Sequence, residues 1–178
     1  TLNFPGKYVV LIYGERTVSI SSKIKDAERK QQLRGFLRNN IDGDYGFVAR
    51  TNCKDASDEK ILKEIAFLKQ QLENIKKFGV HRAKFNCLYH APDAYLCDIR
   101  DSYDSLLESI ITDDDEIFNR IMEFAKIYQP EDIKKIKRWD NADGKLDAVY
   151  DVTKTLEHAL MPKVWLKNGG YLVIQPTE

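Results

Sequence analysis

Cysteine is scarce in this chain, and its few copies form no pattern. Cys53, Cys87 and Cys97 are odd in number, and no two of them have C-x-x-C spacing. That argues against a disulfide framework or a cysteine zinc site, and for small reduced thiols in a cytoplasmic protein. No run of about 18 apolar residues occurs, so no membrane span is expected. A charged leader followed by an apolar stretch and a small-residue cleavage site is also missing, so no signal peptide is expected. His81, His90 and His158 show neither ligand spacing nor a nucleophile partner. The sequence has no P-loop, no nucleotide-binding glycine pattern, no Ser-His-Asp set and no internal repeat. It also lacks an excess of charge of either sign, with 28 basic and 28 acidic residues.

What is present is enough for a folded protein. The 178 residues suit one or two small domains, and 43% apolar content supplies a core. The neutral total hides a division. Residues 1–92 hold 17 Lys and Arg against 10 Asp and Glu, while residues 93–178 hold 11 against 18. A basic first half fits a polyanion partner. It also fits Lys-rich helix faces that serve only solubility.

Hydrophobic patterning places an α/β fold on the chain. Tyr8 to Tyr13 reads as a strand, Gly14-Glu15-Arg16 as a turn and Thr17 to Ile20 as a second strand, together a hairpin. Asp26 is placed to cap a helix over 27–38. A buried strand follows over 45–51. Ser57 precedes a long helix with Asp58 and Glu59 in its first turn, and Gly79 ends it. Pro92-Asp93 punctuates the chain where the charge changes sign. Phe85 to Tyr89 reads as a connecting strand, 94–103 as a helix and Leu106 to Thr112 as a strand. Asp113 or Asp114 caps a helix over 115–128. Ile133 to Trp139 reads as a strand and Val149 to Leu160 as a helix. Lys163 to Leu166 and Tyr171 to Ile174 form a hairpin around Lys167-Asn168-Gly169-Gly170, with glycine where positive φ is needed. A lone hairpin is marginal in water, so this one reads as the entrance to a further domain.

Chemistry concentrates at the end of the strand over 45–51. Arg50 and Thr51 bring a forked cation and a hydroxyl together, the donors that a phosphate takes. Ligands in open α/β sheets lie at such carboxyl ends. A strand-end Arg that merely faces water is the alternative reading, and both stand at this point. Arg29, Lys30, Arg34 and Arg38 lie on the next helix, where 30, 34 and 38 share one face. Such a face suits a groove that follows a nucleic-acid backbone, or plain solvation. The acids Asp113 to Glu116 lack the glycine and spacing of a calcium loop, and a helix cap explains them better. Trp139 and Trp165 read as packing anchors.

Several segments together resemble the ribonuclease E/G family. They are Tyr8-Val9-Val10-Leu11, Ser19 to Ile24, Gly46-Phe47-Val48-Ala49-Arg50-Thr51, and Val164-Trp165-Leu166-Lys167-Asn168-Gly169-Gly170-Tyr171-Leu172-Val173-Ile174. The resemblance covers nearly the whole chain. It implies a 5′-sensor domain over 1–93, the main part of an RNase H-like domain over 94–159, and over 160–178 the first hairpin of a DNase I-like catalytic domain. It further implies an endoribonuclease of ribosomal and messenger RNA that needs Mg²⁺, with its metal-binding carboxylates after Glu178. The fragment alone would then be inactive and would carry no cofactor of its own. The expected partner is single-stranded RNA with a 5′-monophosphate end, and an oligomer of the full enzyme is compatible with this reading.

By the same resemblance Arg50 and Thr51 grip the 5′-phosphate, Gly6 and Val10 wall the pocket, and Lys23 meets the RNA backbone. Two departures stand out. The family shows Ile-Ser-Arg-Arg-Ile where this chain has Ile20-Ser21-Ser22-Lys23-Ile24, so one cation is lost and the other has no fork. Gln175 replaces an Asp before Pro176-Thr177-Glu178. A stand-alone RNA- or phosphate-binding α/β module without catalysis is the rival reading.

Overall fold

The computed structural model describes residues 1–102 and 106–176, with Asp143 described through its backbone only. Tyr103, at the end of the expected third helix, and Thr177-Glu178 lie outside the described residues. The fold is mixed α/β and forms two compact units, Thr1–Leu107 and Glu108–Glu178. No helix among the described residues is long and apolar enough to cross a membrane.

The first unit is a four-stranded sheet in the order β1-β2-β4-β3. Its strands are β1 (Leu2–Pro5), β2 (Val9–Tyr13), β3 (Val18–Ile20) and β4 (Tyr45–Ala49). The expected hairpin between β2 and β3 does not form. β1, which the sequence reading missed, takes one edge of β2 in antiparallel register, and β4 takes the other. β3 therefore pairs with β4, and in parallel, with Val18 opposite Phe47 and Ile20 opposite Ala49. The crossover from β3 to β4 is α1 (Ala27–Asn39), capped by the Asp26 side chain at the amides of Glu28 and Arg29. α2 (Asp58–Gly79) begins after Ser57 as expected, and the Ser57 side chain caps it by accepting from the amide of Lys60. It buries Ile61, Ile65, Leu68 and Leu72 in the same core as Val9, Leu11, Leu33 and Phe47.

α3 (Ala94–Asp101) belongs to the first unit. The sequence reading sets a domain boundary at Asp93, whereas the compact units divide after Leu107. The physical link is Arg100, whose Nη1 donates to the carbonyl of Pro5 at 2.8 Å. The expected strand over Phe85 to Tyr89 is absent. Phe85 has φ +71° and so breaks an extended run, although Tyr89 still packs edge-on against Phe4.

The second unit pairs β5 (Ile110–Thr112) with β6 (Ile136–Arg138) in parallel beside α4 (Asp115–Tyr128). Asp114 is the cap of α4, accepting from the amide of Ile117 at 2.8 Å. The strand expected over Ile133 to Trp139 is shorter, because Pro130–Lys135 forms a 3-10 turn. The helix expected over Val149 to Leu160 is two helices, α5 (Leu146–Tyr150) and α6 (Val152–Ala159). Asp151 between them is left-handed at φ +54°, and Asp147 accepts from the amide of Thr153 across the break. The chain ends in the expected antiparallel hairpin, β7 (Lys163–Trp165) with β8 (Tyr171–Val173), and Gly169 has φ +84°. Trp165 is no core anchor; it is 57% exposed and packs across the hairpin on Tyr171.

Candidate phosphate site at the end of the central strand

β4 is flanked on both sides, so its carboxyl end is fixed by the sheet. Ala49 is fully buried, and the next residue, Arg50, donates its amide to the carbonyl of Tyr8 at 2.8 Å. Arg50 then turns a half-buried guanidinium toward the loop before β2 and the end of α3. Its Nη1 donates to the carbonyl of Gly6 at 2.6 Å and to Oδ1 of Asp101 at 2.7 Å, and its Nη2 donates to Oδ2 of Asp101 at 2.6 Å. The sequence reading had no partner for Arg50. The structure gives it a bidentate carboxylate.

Asp101 is held from a second side. Nε of Arg100 donates to Oδ1 at 2.8 Å, and Asn52 donates to the Asp101 carbonyl at 3.1 Å. Burial pushes the Asp101 carboxyl up, but the hydrogen bonds and charges of Arg100 and Arg50 outweigh it and hold the group below the usual carboxylate range.

Thr51 opens a 3-10 turn, Thr51–Lys54. Its Oγ1 lies 3.1 Å from Oγ of Ser21, at the end of β3. The same Ser21 oxygen accepts from the amide of Lys23 at 3.4 Å, so exposed Lys23 sits on a loop tied to this hydroxyl pair. Arg29 clamps the turn from α1, donating to the carbonyls of Cys53, Lys54 and Ala56. That use takes Arg29 out of a solvated basic face. Arg34 and Arg38 remain exposed on α1. Cys53, inside the turn, is fully buried and its thiol is pushed up to about 12 by that burial, which makes it a poor nucleophile.

Gly6 and Arg50 are thus in direct contact, and Thr51 joins Ser21 and Lys23. Val10 lies on the face of β2 opposite the core residues Val9 and Leu11, across from Val48, and makes no bond to Arg50. Gly6 has a role that the sequence did not suggest. A Cβ there would overlap the carboxyl carbon of Glu64. Glu64 fills that space because its carboxylate takes three successive amides, from Lys7 at 2.5 Å, Tyr8 at 2.7 Å and Val9 at 2.8 Å. Burial raises the Glu64 pKa more than those amides and the charge of Arg100 lower it.

Glu64, Arg100 and Asp101 escaped the sequence reading. Glu64 had a signal, since it falls three residues after Ile61 and four before Leu68, on the buried stripe of α2. An acid on such a stripe needs donors. Asp101 had none, because its partner lies 51 residues away.

The two shifted carboxyls have opposite pH linkage. The Asp101 contribution to stability is complete above its unfolded value of about 3.9 and is lost as pH falls through its lower folded value. The Glu64 contribution is complete below about 4.3 and is lost as pH rises through its raised folded value. Asp101→Asn should therefore open a stability gap to the parent chain that holds above about pH 5 and shrinks as pH falls below about pH 4. Urea midpoints across that range check it, and a constant gap would count against the two-arginine pairing.

Among the described residues, no three His, Cys, Asp or Glu side chains converge on a metal site. Asp114 caps α4, and Asp115 pairs with Arg138 at 2.8 Å.

Comparison with known proteins gives consistent matches. A model of the ribonuclease E/G family matches residues 3–178. The chain is 28% identical over 181 residues to ribonuclease G of Salmonella typhimurium and 26% identical over 177 residues to ribonuclease G of Escherichia coli. In both cases 99% of this chain aligns with 36% of the relative. Ribonuclease E of a Synechocystis species is 26% identical over 190 residues, covering 99% of this chain and 27% of that protein. The chain thus spans about a third of the length of its ribonuclease G relatives.

Proposed function

The chain belongs to the ribonuclease E/G family, and on that premise we propose that its first unit binds single-stranded RNA and senses a 5′-monophosphate end. The observation that carries the proposal is Arg50, a forked cation at the end of the central strand, with its side chain 29% exposed. Thr51 follows it in the next turn, and its hydroxyl lies 3.1 Å from that of Ser21 at the end of β3. Lys23, Arg34 and Arg38 add exposed cations to the same unit, and the basic balance of residues 1–92 favours a polyanion.

In this reading residues 1–93 are the 5′ sensor, 94–159 the RNase H-like region, and 160–178 the opening hairpin of a catalytic domain. The parent enzyme cuts single-stranded RNA in ribosomal RNA maturation and messenger RNA decay, in the cytoplasm. Its Mg²⁺ would supply an activated water for phosphodiester hydrolysis. The described residues offer no fit for that ion, so the proposal gives them recognition and not cleavage.

A 5′-phosphate accepts charge-assisted bonds that a 5′-hydroxyl end does not. Each is worth roughly 1.5–3 kcal/mol, so a preference of about tenfold to a few hundredfold is expected. The test is fluorescence anisotropy with two oligoribonucleotides that differ only in the 5′ group. Arg50→Ala should bring their affinities together by weakening the phosphorylated one. Equal affinity of the parent chain for both ends would sink the sensor reading.

A further inference from the structure

Arg50 has five N–H donors, and the structure accounts for three. Both Nη1 hydrogens are used, on Gly6 and Asp101, and one Nη2 hydrogen is used on Asp101. The Nε hydrogen and the second Nη2 hydrogen have no partner among the described residues. These two lie along one edge of the planar group and can take two oxygens of one anion side by side. The other edge is locked.

The lock is itself anchored. Asp101 meets Arg50 end-on and meets Arg100 from the side, through Nε at 2.8 Å and Nη2 at 3.3 Å. The Arg100 side chain is only 6% exposed and also holds Pro5. A carboxylate tethered to a buried cation does not swing away freely when an anion arrives. It fixes the guanidinium plane instead. Resting on the 5′-sensor reading, we propose that Asp101 is a positioning residue that clamps one edge of Arg50 so that the Nε–Nη2 edge receives the terminal phosphate of RNA.

The clamp has a consequence for selectivity. A guanidinium already oriented loses little rotamer freedom on binding, so more of the bond strength appears as affinity. The Asp101 charge also offsets part of the local positive charge, which weakens non-specific backbone attraction while leaving a directed fork. Asp101 therefore favours discrimination over raw affinity for RNA.

The experiment uses this chain with 5′-monophosphate and 5′-hydroxyl forms of one single-stranded oligoribonucleotide, read by anisotropy. Thermal melting of each variant is followed in parallel. Asp101→Asn should cut the phosphate-to-hydroxyl affinity ratio roughly tenfold, with affinity for the hydroxyl form unchanged or higher. Arg50→Lys, which leaves a cation without an edge to present, should lose the ratio as well, and it keeps the test open if Asp101→Asn melts early. A parent chain with no preference defeats the sensor reading itself. A parent chain with a preference that folded Asp101→Asn or Arg50→Lys retains in full overturns the clamp alone. A rise in 5′-phosphate affinity on Asp101→Asn also overturns it, because Asp101 would then be a competitor for the seat.

Discussion

Gly46→Ala is expected to destabilise the first unit by about 3 kcal/mol or more, from overpacking and lost strand hydrogen bonds. The new Cβ would overlap the backbone nitrogen and oxygen of Thr17 and come within 2.7 Å of the Glu15 carbonyl. Those atoms are main chain and cannot rotate aside as a side chain would. β3 would have to leave β4. Lost with it would be the bond from the Phe47 amide to the Thr17 carbonyl, at 2.8 Å, and that from the Ser21 amide to the Ala49 carbonyl, at 2.9 Å. Total stabilities of about 5–15 kcal/mol leave little margin for such a loss. Ser21 would also move away from Thr51, so a partly folded variant should show weakened RNA binding along with a lower urea midpoint. Gly35→Ala is the control, since a Cβ there meets nothing within 4 Å. An equal midpoint for the two variants would refute the close-approach account.

That glycine shows where the sequence was legible and where it was not. The motif Gly46-Phe47-Val48-Ala49-Arg50-Thr51 was visible as a strand ending in a cation, and β4 is that strand. The reason for its first residue was hidden, because the crowding comes from β3, whose partner was misassigned. A local pattern favoured a hairpin between β2 and β3. The missing information was β1, four residues with a single buried side chain, Phe4, and a proline at the end, too short to compete as a signal. Helix caps were the most legible features. Asp26, Ser57 and Asp114 act within their own turn, and the side chains satisfy the amides expected of them. The candidate site was legible only in part. Arg50 and Thr51 are adjacent in sequence, but the groups that orient Arg50 come from residues 6 and 101. Contacts at such separations leave no periodic trace. The break at Asp151 is similar in kind, since the apolar spacing runs through it while the backbone does not.

Glu64→Ala is expected to be as damaging as Gly46→Ala, at about 3 kcal/mol or more, by a different route. It leaves the amides of Lys7, Tyr8 and Val9 without the acceptor they now share. A buried donor left without an acceptor costs roughly 1–3 kcal/mol, and water entering the vacated space recovers only part of three such losses. Glu64→Gln should fall between the parent chain and Glu64→Ala. One amide oxygen can still accept, but the nitrogen would face a backbone donor. Gly6→Ala should resemble Glu64→Ala, because its Cβ evicts the same carboxylate. The damage should reach the phosphate site. Residues 5–9 present the Gly6 carbonyl to Arg50 and the Pro5 carbonyl to Arg100, so a loosened loop releases both arginines. Amide hydrogen exchange at Lys7, Tyr8 and Val9 gives the local readout, and the 5′-phosphate preference gives the functional one. Both should fall together in Glu64→Ala. Unchanged protection of those three amides would mean that Glu64 does not hold the loop, and the structural basis for the site at Gly6 would fail with it.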